Sequence, residues 1–293
     1  MELNDQIVTT PPRPASTVVL LRDGDQGLEV LMLRRHAQSD VLGGAYVFPG
    51  GKLDREDADA DLHARLDLRP DALHASLNEP ALDAATAAAL YVAALRETFE
   101  ESHILMARGV RTEHVDEAAR RAREGLAFAE VVAQLGLELA VSSLAPWSRW
   151  ITPRMPSVQN KRFDTRFFVA HVPEGLTARH DEREATESVW MRPRPALERY
   201  WAREIELAPP QIQSLAHLAR FASAEEAIAA ARRRPPPLIE PEPFEQDGTR
   251  VIAYPGDPRH PVPERALPGP LRLRFDKARG RFEPIEGFEQ FFA

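Results

Sequence analysis

From Ala84 to Arg108 the chain runs 25 residues without a proline or a glycine, and alanine, leucine and glutamate dominate the stretch. Such a segment predicts one long helix. Its sides differ in kind. Leu90, Val92, Ala93, Leu95 and Phe99 form an apolar flank that demands burial, whereas Glu97, Glu100 and Glu101 stand at i, i+3 and i+4. That spacing stacks three carboxylates along one helical edge, a turn apart. Like charges so placed repel by about 0.2–0.5 kcal/mol per pair on an exposed helix. A divalent cation relieves the repulsion, and clustered hard oxygen donors suit Mg²⁺ or Mn²⁺. A solvated acidic face is the bland alternative, but Arg96, immediately before Glu97, is placed to orient the carboxylates.

The helix needs a partner surface, and strand-like runs flank it. Thr17–Leu21 and Leu28–Leu33 are separated by Asp23-Gly24-Asp25-Gln26-Gly27, which is hairpin chemistry. Ala45–Phe48 ends in Pro49-Gly50-Gly51, where the backbone can turn sharply and come close to a ligand. Further strands are expected at Leu139–Ser143, Ser148–Thr152, Phe163–Val172 and Ser188–Met191. Helices are expected near 113–123, 128–135 and 195–207, and a helix or pair of helices over 208–234. Residues 1–14 read as a flexible arm, and 52–83 as an inserted loop with one short helix. Residues 235–293 form a proline-rich extension with strand candidates at 251–254, 271–275 and 281–285. Mixed strands and helices in this order argue an α+β or α/β protein.

The absence of cysteine rules out disulfides, thiolate zinc sites and a cysteine nucleophile. The nine histidines show no paired zinc spacing; His103 follows the acidic cluster and reads as a helix-end or core residue. A net charge of −8 gives no general attraction to nucleic acid or to anionic membrane, so a phosphate-bearing ligand needs local cations. Arg34 and Arg35, before the Gly43-Gly44 loop, and Lys161 and Arg162, at the edge of the later strand, are the candidates, and arginine suits phosphate through its planar fork. With no start resembling a signal peptide, no long apolar run and no peroxisomal tail, the chain is expected in the cytoplasm, with a homodimer left open.

Gly51 with Asp57, together with Arg96-Glu97-Thr98-Phe99-Glu100-Glu101-Ser102-His103-Ile104, resembles the Nudix box, Gly-x5-Glu-x7-Arg-Glu-U-x-Glu-Glu-x-Gly-U with U aliphatic. Asp57 stands at the first glutamate position, Thr98 replaces the aliphatic residue and His103 the glycine. Between Asp57 and Arg96 lie 38 residues where seven are usual. A long insertion at this point is similar to that of the animal coenzyme A diphosphatase branch. Gly43–Gly51, Trp150–Pro153, Lys161–Phe168 and Trp190–Pro193 followed by Ala196-Leu197 also look like that branch.

The resemblance implies an α/β/α sandwich with a Nudix-like mixed sheet over residues 15–207. It also implies metal-dependent hydrolysis of a pyrophosphate in a nucleoside-diphosphate-type substrate such as coenzyme A. Glu97, Glu100, Glu101 and the Gly51 backbone are then the metal donors, with Arg96, Glu100 and Glu101 in the catalytic machinery. Any of the three glutamates can serve as base. Gly50, Gly51 and Phe48 are expected at the substrate. A distant acidic donor is expected from the Asp181–Glu187 loop, Glu184 first and Glu187 second. The insertion is expected over the site entrance. The competing reading is a non-catalytic Nudix-like sensor of a nucleotide metabolite, which the intact glutamate set disfavours.

Overall fold

The structure, a computed structural model, describes residues 7–38, 42–155, 161–180 and 185–293. In chain order its strands and helices begin with β1 (Arg13–Gly24), β2 (Gly27–Arg35), β3 (Tyr46–Val47) and β4 (Gly50–Lys52). The insertion carries α1 (Ala60–His63) and α2 (Pro70–Leu77), followed by α3 (Ala84–Ser102), α4 (Thr112–Arg123) and α5 (Phe128–Gln134). Then come β5 (Ala145–Ile151), β6 (Phe163–His171), β7 (Ala185–Met191), α6 (Pro193–Trp201), α7 (Pro209–Leu218) and α8 (Ala224–Arg232). The extension holds β8 (Leu238–Ile239), β9 (Glu242–Gln246), β10 (Thr249–Ala253), β11 (Arg272–Asp276) and β12 (Arg281–Pro284).

The main sheet runs β3-β2-β1-β6-β5-β8, with β7 on β2 and β4 on β1. β1 is its spine because Val18-Val19-Leu20-Leu21 is apolar at every step and fully buried, as a strand covered on both faces must be. Val18 and Leu20 point into one core with α2, α3 and α5; Val19 and Leu21 point into the other with α6, α7 and α8. β6 runs parallel to β1 and repeats the alternation, Phe168 and Ala170 against Phe167 and Val169. Two helical layers therefore sandwich the sheet. On its other edge β1 is shared: residues 15–17 pair with β4 and residues 21–24 with β2.

Most elements lie where their sequence places them, and four corrections have identifiable causes. α3 stops at Ser102 instead of Arg108, because His103 turns left-handed (φ 55°) and Ile104–Ala107 drop into the core. Leu139 makes isolated bridges to Leu66 and Ala107, and a 3-10 turn follows at Val141–Ser143, so no regular strand forms there. The insertion is more ordered than a loop: Leu62, Leu73 and Leu77 share the core behind α3. Its helices therefore pack against α3, and of the range 52–83 only Lys52 lines the cleft described below; it is not the cover over the entrance that was expected. Finally, β9 goes unread in the sequence because Glu242 and Pro243 disguise it.

The extension is not a loose tail. β12-β11-β10-β9 form an antiparallel sheet whose Leu273, Phe275 and Phe282 join the core of α6 and α7. The Tyr200 hydroxyl donates to the Phe282 carbonyl at 2.6 Å. β8 meanwhile extends the main sheet, Trp150 opposite Ile239. No helix among the described residues is long and apolar enough to cross a membrane.

Candidate active site

The glycine turn and the acidic edge of α3 meet. Asp83 caps the helix start by accepting from Thr86 N at 2.7 Å, and nineteen residues later His103 closes it, its N–H donating to Phe99 O at 2.9 Å. The last two turns thus hold a fixed position beside β4. Gly50 N donates to Glu101 Oε2 at 2.9 Å. A Cβ at Gly51 would overlap the Glu97 carboxylate, and one at Gly50 would lie 2.5 Å from Ser16 O. Neither has a positive φ, so the constraint is close approach: backbone demands glycine at Gly50, whereas at Gly51 only the movable end of Glu97 stands in the way.

Arg96 organises this corner. Its side chain is buried and forks onto Asp57, Nε to Oδ1 at 2.8 Å and Nη2 to Oδ2 at 2.9 Å. The same guanidinium donates to Glu97 Oε1 (2.8 Å), Glu100 Oε2 (3.0 Å) and the Lys52 carbonyl (3.1 Å). Burial alone would lower the arginine pKa. The Asp57 hydrogen bonds and the charges of Glu97, Asp57 and Glu100 overcome that and raise it, so the group is always cationic. Asp57 and Arg96 meet despite the 38 residues between them: the insertion leaves the box at Asp57 and returns to it through α3.

A cleft of about 560 Å³ opens beside this corner. Gly50, Gly51, Glu97 and Glu101 line one end of it. Its walls come from β1 and β6, from Trp150–Pro153, from the start of α7 and from the C-terminal extension. Phe48, 3% exposed, lines it edge-on to Phe167, ring centroids 6.5 Å apart. Arg35 and Lys161 also line it, and the buried Arg35 Nε has no hydrogen-bond partner among the described residues.

Other candidates lie elsewhere. Glu100 is turned to Arg96 and solvent and is not among the lining residues. Arg34 is exposed on β2, opposite Glu187 in the β7 register. Arg162 is spent inside the fold, donating to Thr152 O at 2.8 Å and to Glu240. Glu187 accepts from the Tyr46 hydroxyl at 2.7 Å; burial first, and then this bond, raise the tyrosine pKa. Glu184 lies outside the described residues. From the insertion range, Lys52 alone appears in the lining. Sequence reasoning missed Gln211, Pro241 and Ile252, which do line the cleft. Pro209-Pro210 marks a helix start in the sequence, but nothing local says where that helix points.

Whether the corner suits a divalent ion follows from its donors. Among the described residues no three Asp, Glu, His or Cys side chains converge into a cage. Mg²⁺ and its relatives seldom need one: one or two carboxylates, waters and substrate phosphates suffice. Glu97, Glu101 and the glycine backbone, all hard oxygen donors at a cleft wall, match that pattern.

Comparisons with known proteins bear on the family. The family described as the NUDT19 Nudix domain matches residues 8–218. An acyl-coenzyme A diphosphatase NUDT19 of Xenopus laevis is 28% identical over 68% of this chain and 61% of its own length. The Homo sapiens protein of the same name is 30% identical over 74% of this chain and 65% of its own. The chain thus spans somewhat under two thirds of the length of these relatives. The crystal structure of a Nudix hydrolase from Alicyclobacillus acidocaldarius superposes with a TM-score of 0.61 at 30% identity, covering 76% of this chain and 97% of that one.

Proposed function

Because the chain belongs to the Nudix superfamily, in the NUDT19 Nudix domain family, we propose that it is a diphosphatase that hydrolyses the pyrophosphate of coenzyme A or an acyl-coenzyme A. The substrate class rests on what its relatives are named for. The chemistry rests on one observation, the meeting of Glu97 and Glu101 with Gly50–Gly51 at the end of a cleft.

Nudix enzymes typically use a divalent metal. Here Mg²⁺ or Mn²⁺ would be held by Glu97 and Glu101, with the Gly51 carbonyl as a further donor. When bound, such an ion neutralises phosphate charge and lowers the pKa of a water. The chain's own residues do the rest. Arg96 acts through the carboxylates: held from the side by its guanidinium, Glu97 keeps its place at the cleft. Arg35 and Lys161 offer cationic donors to substrate phosphates. Glu97 or Glu101 accepts the proton of the attacking water. The water oxygen bonds to phosphorus as the bridging P–O bond breaks, which leaves one phosphate of the pyrophosphate on each product.

The test is a panel of coenzyme A, acyl-coenzyme A, ADP-ribose and dinucleoside polyphosphates with Mg²⁺ or Mn²⁺, products identified by mass. Coenzyme A is expected to yield 3′,5′-ADP and 4′-phosphopantetheine. Glu101→Gln is expected to lower kcat by about 100-fold or more. Equal turnover by wild type and Glu101→Gln would remove the site from the reaction. Binding without turnover by wild type would favour a metabolite sensor.

A further inference from the structure

Gln211 lines the same cleft as Glu97 and Glu101 but belongs to the opposite helical layer. It sits in the first turn of α7, directly after Pro209 and Pro210. It is 8% exposed, and its Oε1 is buried without a hydrogen-bond partner among the described residues. A buried carbonyl left unpaired is unfavourable, so native folds retain few of them. Here the unpaired acceptor belongs to a residue that lines a cleft, where a ligand can complete it.

The wall around Gln211 narrows the ligand. Ala208, Pro209 and Pro210 precede it, and Pro241 and Ile252 come from the C-terminal extension. All five are aliphatic; the rings that line the cleft, Phe48, Trp150, Phe163 and Phe167, come from the main-sheet side. An isolated acceptor among aliphatic groups suits an extended, apolar chain that carries amide N–H donors. Pro241 and Ile252 lie beyond residues 8–218, the part matched by the family.

We infer that Gln211, in a cleft that Pro241 and Ile252 also line, is the specificity-determining residue for the amide-bearing arm of the substrate, accepting one of that arm's N–H groups. The identity of the arm as acyl-pantetheine rests on the diphosphatase reading above.

The experiment measures binding rather than turnover. The full chain and Gln211→Leu are titrated by calorimetry, in Mg²⁺, with 4′-phosphopantetheine and separately with 3′,5′-ADP. Loss of one buried hydrogen bond is expected to raise Kd for phosphopantetheine by about tenfold, with Kd for 3′,5′-ADP unchanged. Gln211→Ala, which suits a helix, replaces the leucine variant if that one fails to fold, as judged by its thermal midpoint. Equal weakening of both ligands would mean a general structural role and overturn the inference. So would weakening of 3′,5′-ADP alone, which would make this the base site, and so would an unchanged pair or a wild type that binds no phosphopantetheine. If wild type cleaves no coenzyme A-type diphosphate yet shows the selective loss, the diphosphatase reading fails while the arm site stands. Normal cleavage with no selective loss fails the arm site alone.

Discussion

Replacing Arg96 by methionine should do two separable things. Asp57 is 1% exposed, and beyond Arg96 it retains the Asp54 N–H at 2.8 Å. Removing the guanidinium leaves its carboxylate buried and uncompensated, which in comparable buried pairs is destabilising by about 3–5 kcal/mol. Against a typical total of about 5–15 kcal/mol, that is a large fraction of the stability. The reverse change is milder. Asp57→Leu leaves Arg96 with Glu97, Glu100 and the Lys52 carbonyl, so about 1–2 kcal/mol is expected. In the double variant neither charge is stranded, and its loss should fall below that of Arg96→Met alone. The coupling should be about 2–3 kcal/mol. Urea denaturation followed by circular dichroism, on all four proteins at one pH, measures the cycle. Activity should remain low in the double variant even where stability returns, because nothing then orients Glu97 and Glu100. Additive losses, or a cost below about 1 kcal/mol for Arg96→Met, would show that the buried pair is not what holds the box together.

Two glycine substitutions one residue apart should part company. Gly50→Ala drives its Cβ against backbone, 2.5 Å from Ser16 O and 2.7 Å from Thr17 Cα, and should lower stability by about 1–3 kcal/mol. Gly51→Ala meets the flexible end of Glu97, so thermal stability should barely change while the metal concentration for half-maximal activity rises. Comparable melting shifts for the two would contradict this. A pH effect is expected from His217, buried and stacked on Trp147 with ring centroids 4.3 Å apart. Burial first, then the charges of Arg234 and Arg220, push its pKa down to about 3. The unfolded chain, with a histidine pKa of about 6.5, then binds more protons between pH 6.5 and 3, and stability falls as pH drops through that window. From pH 8 to pH 5 the loss is about 2 kcal/mol from this residue. His217→Phe should remove that part of the slope in denaturation curves; an unaltered slope would refute the assignment.

The fold was legible wherever the signal was local. The alternation and apolar run of β1, the turn at Asp23–Gly27 and the capped, proline-free α3 each state their structure within a few residues. His103 shows the limit. A helix propensity read along Ile104–Arg108 cannot foresee that one residue takes φ 55°, because burying Ile104, Leu105 and Met106 in the core overrides it. β9 and the helices of the insertion were obscured for a related reason: short elements held by tertiary burial carry little periodicity of their own.

For the site, sequence alone determined that three carboxylates share one helical edge and that a glycine pair ends a strand, since helical and extended geometry fix the spacing of near neighbours. Tertiary structure decided everything that requires distant residues to meet. It joined Gly50 to Glu101 and Asp57 to Arg96 across an insertion, turned Glu100 and Arg162 away from the cleft, and brought Gln211 and Ile252 into it. Sheet register and the packing of two cores set those meetings, and neither is written in any single stretch of chain.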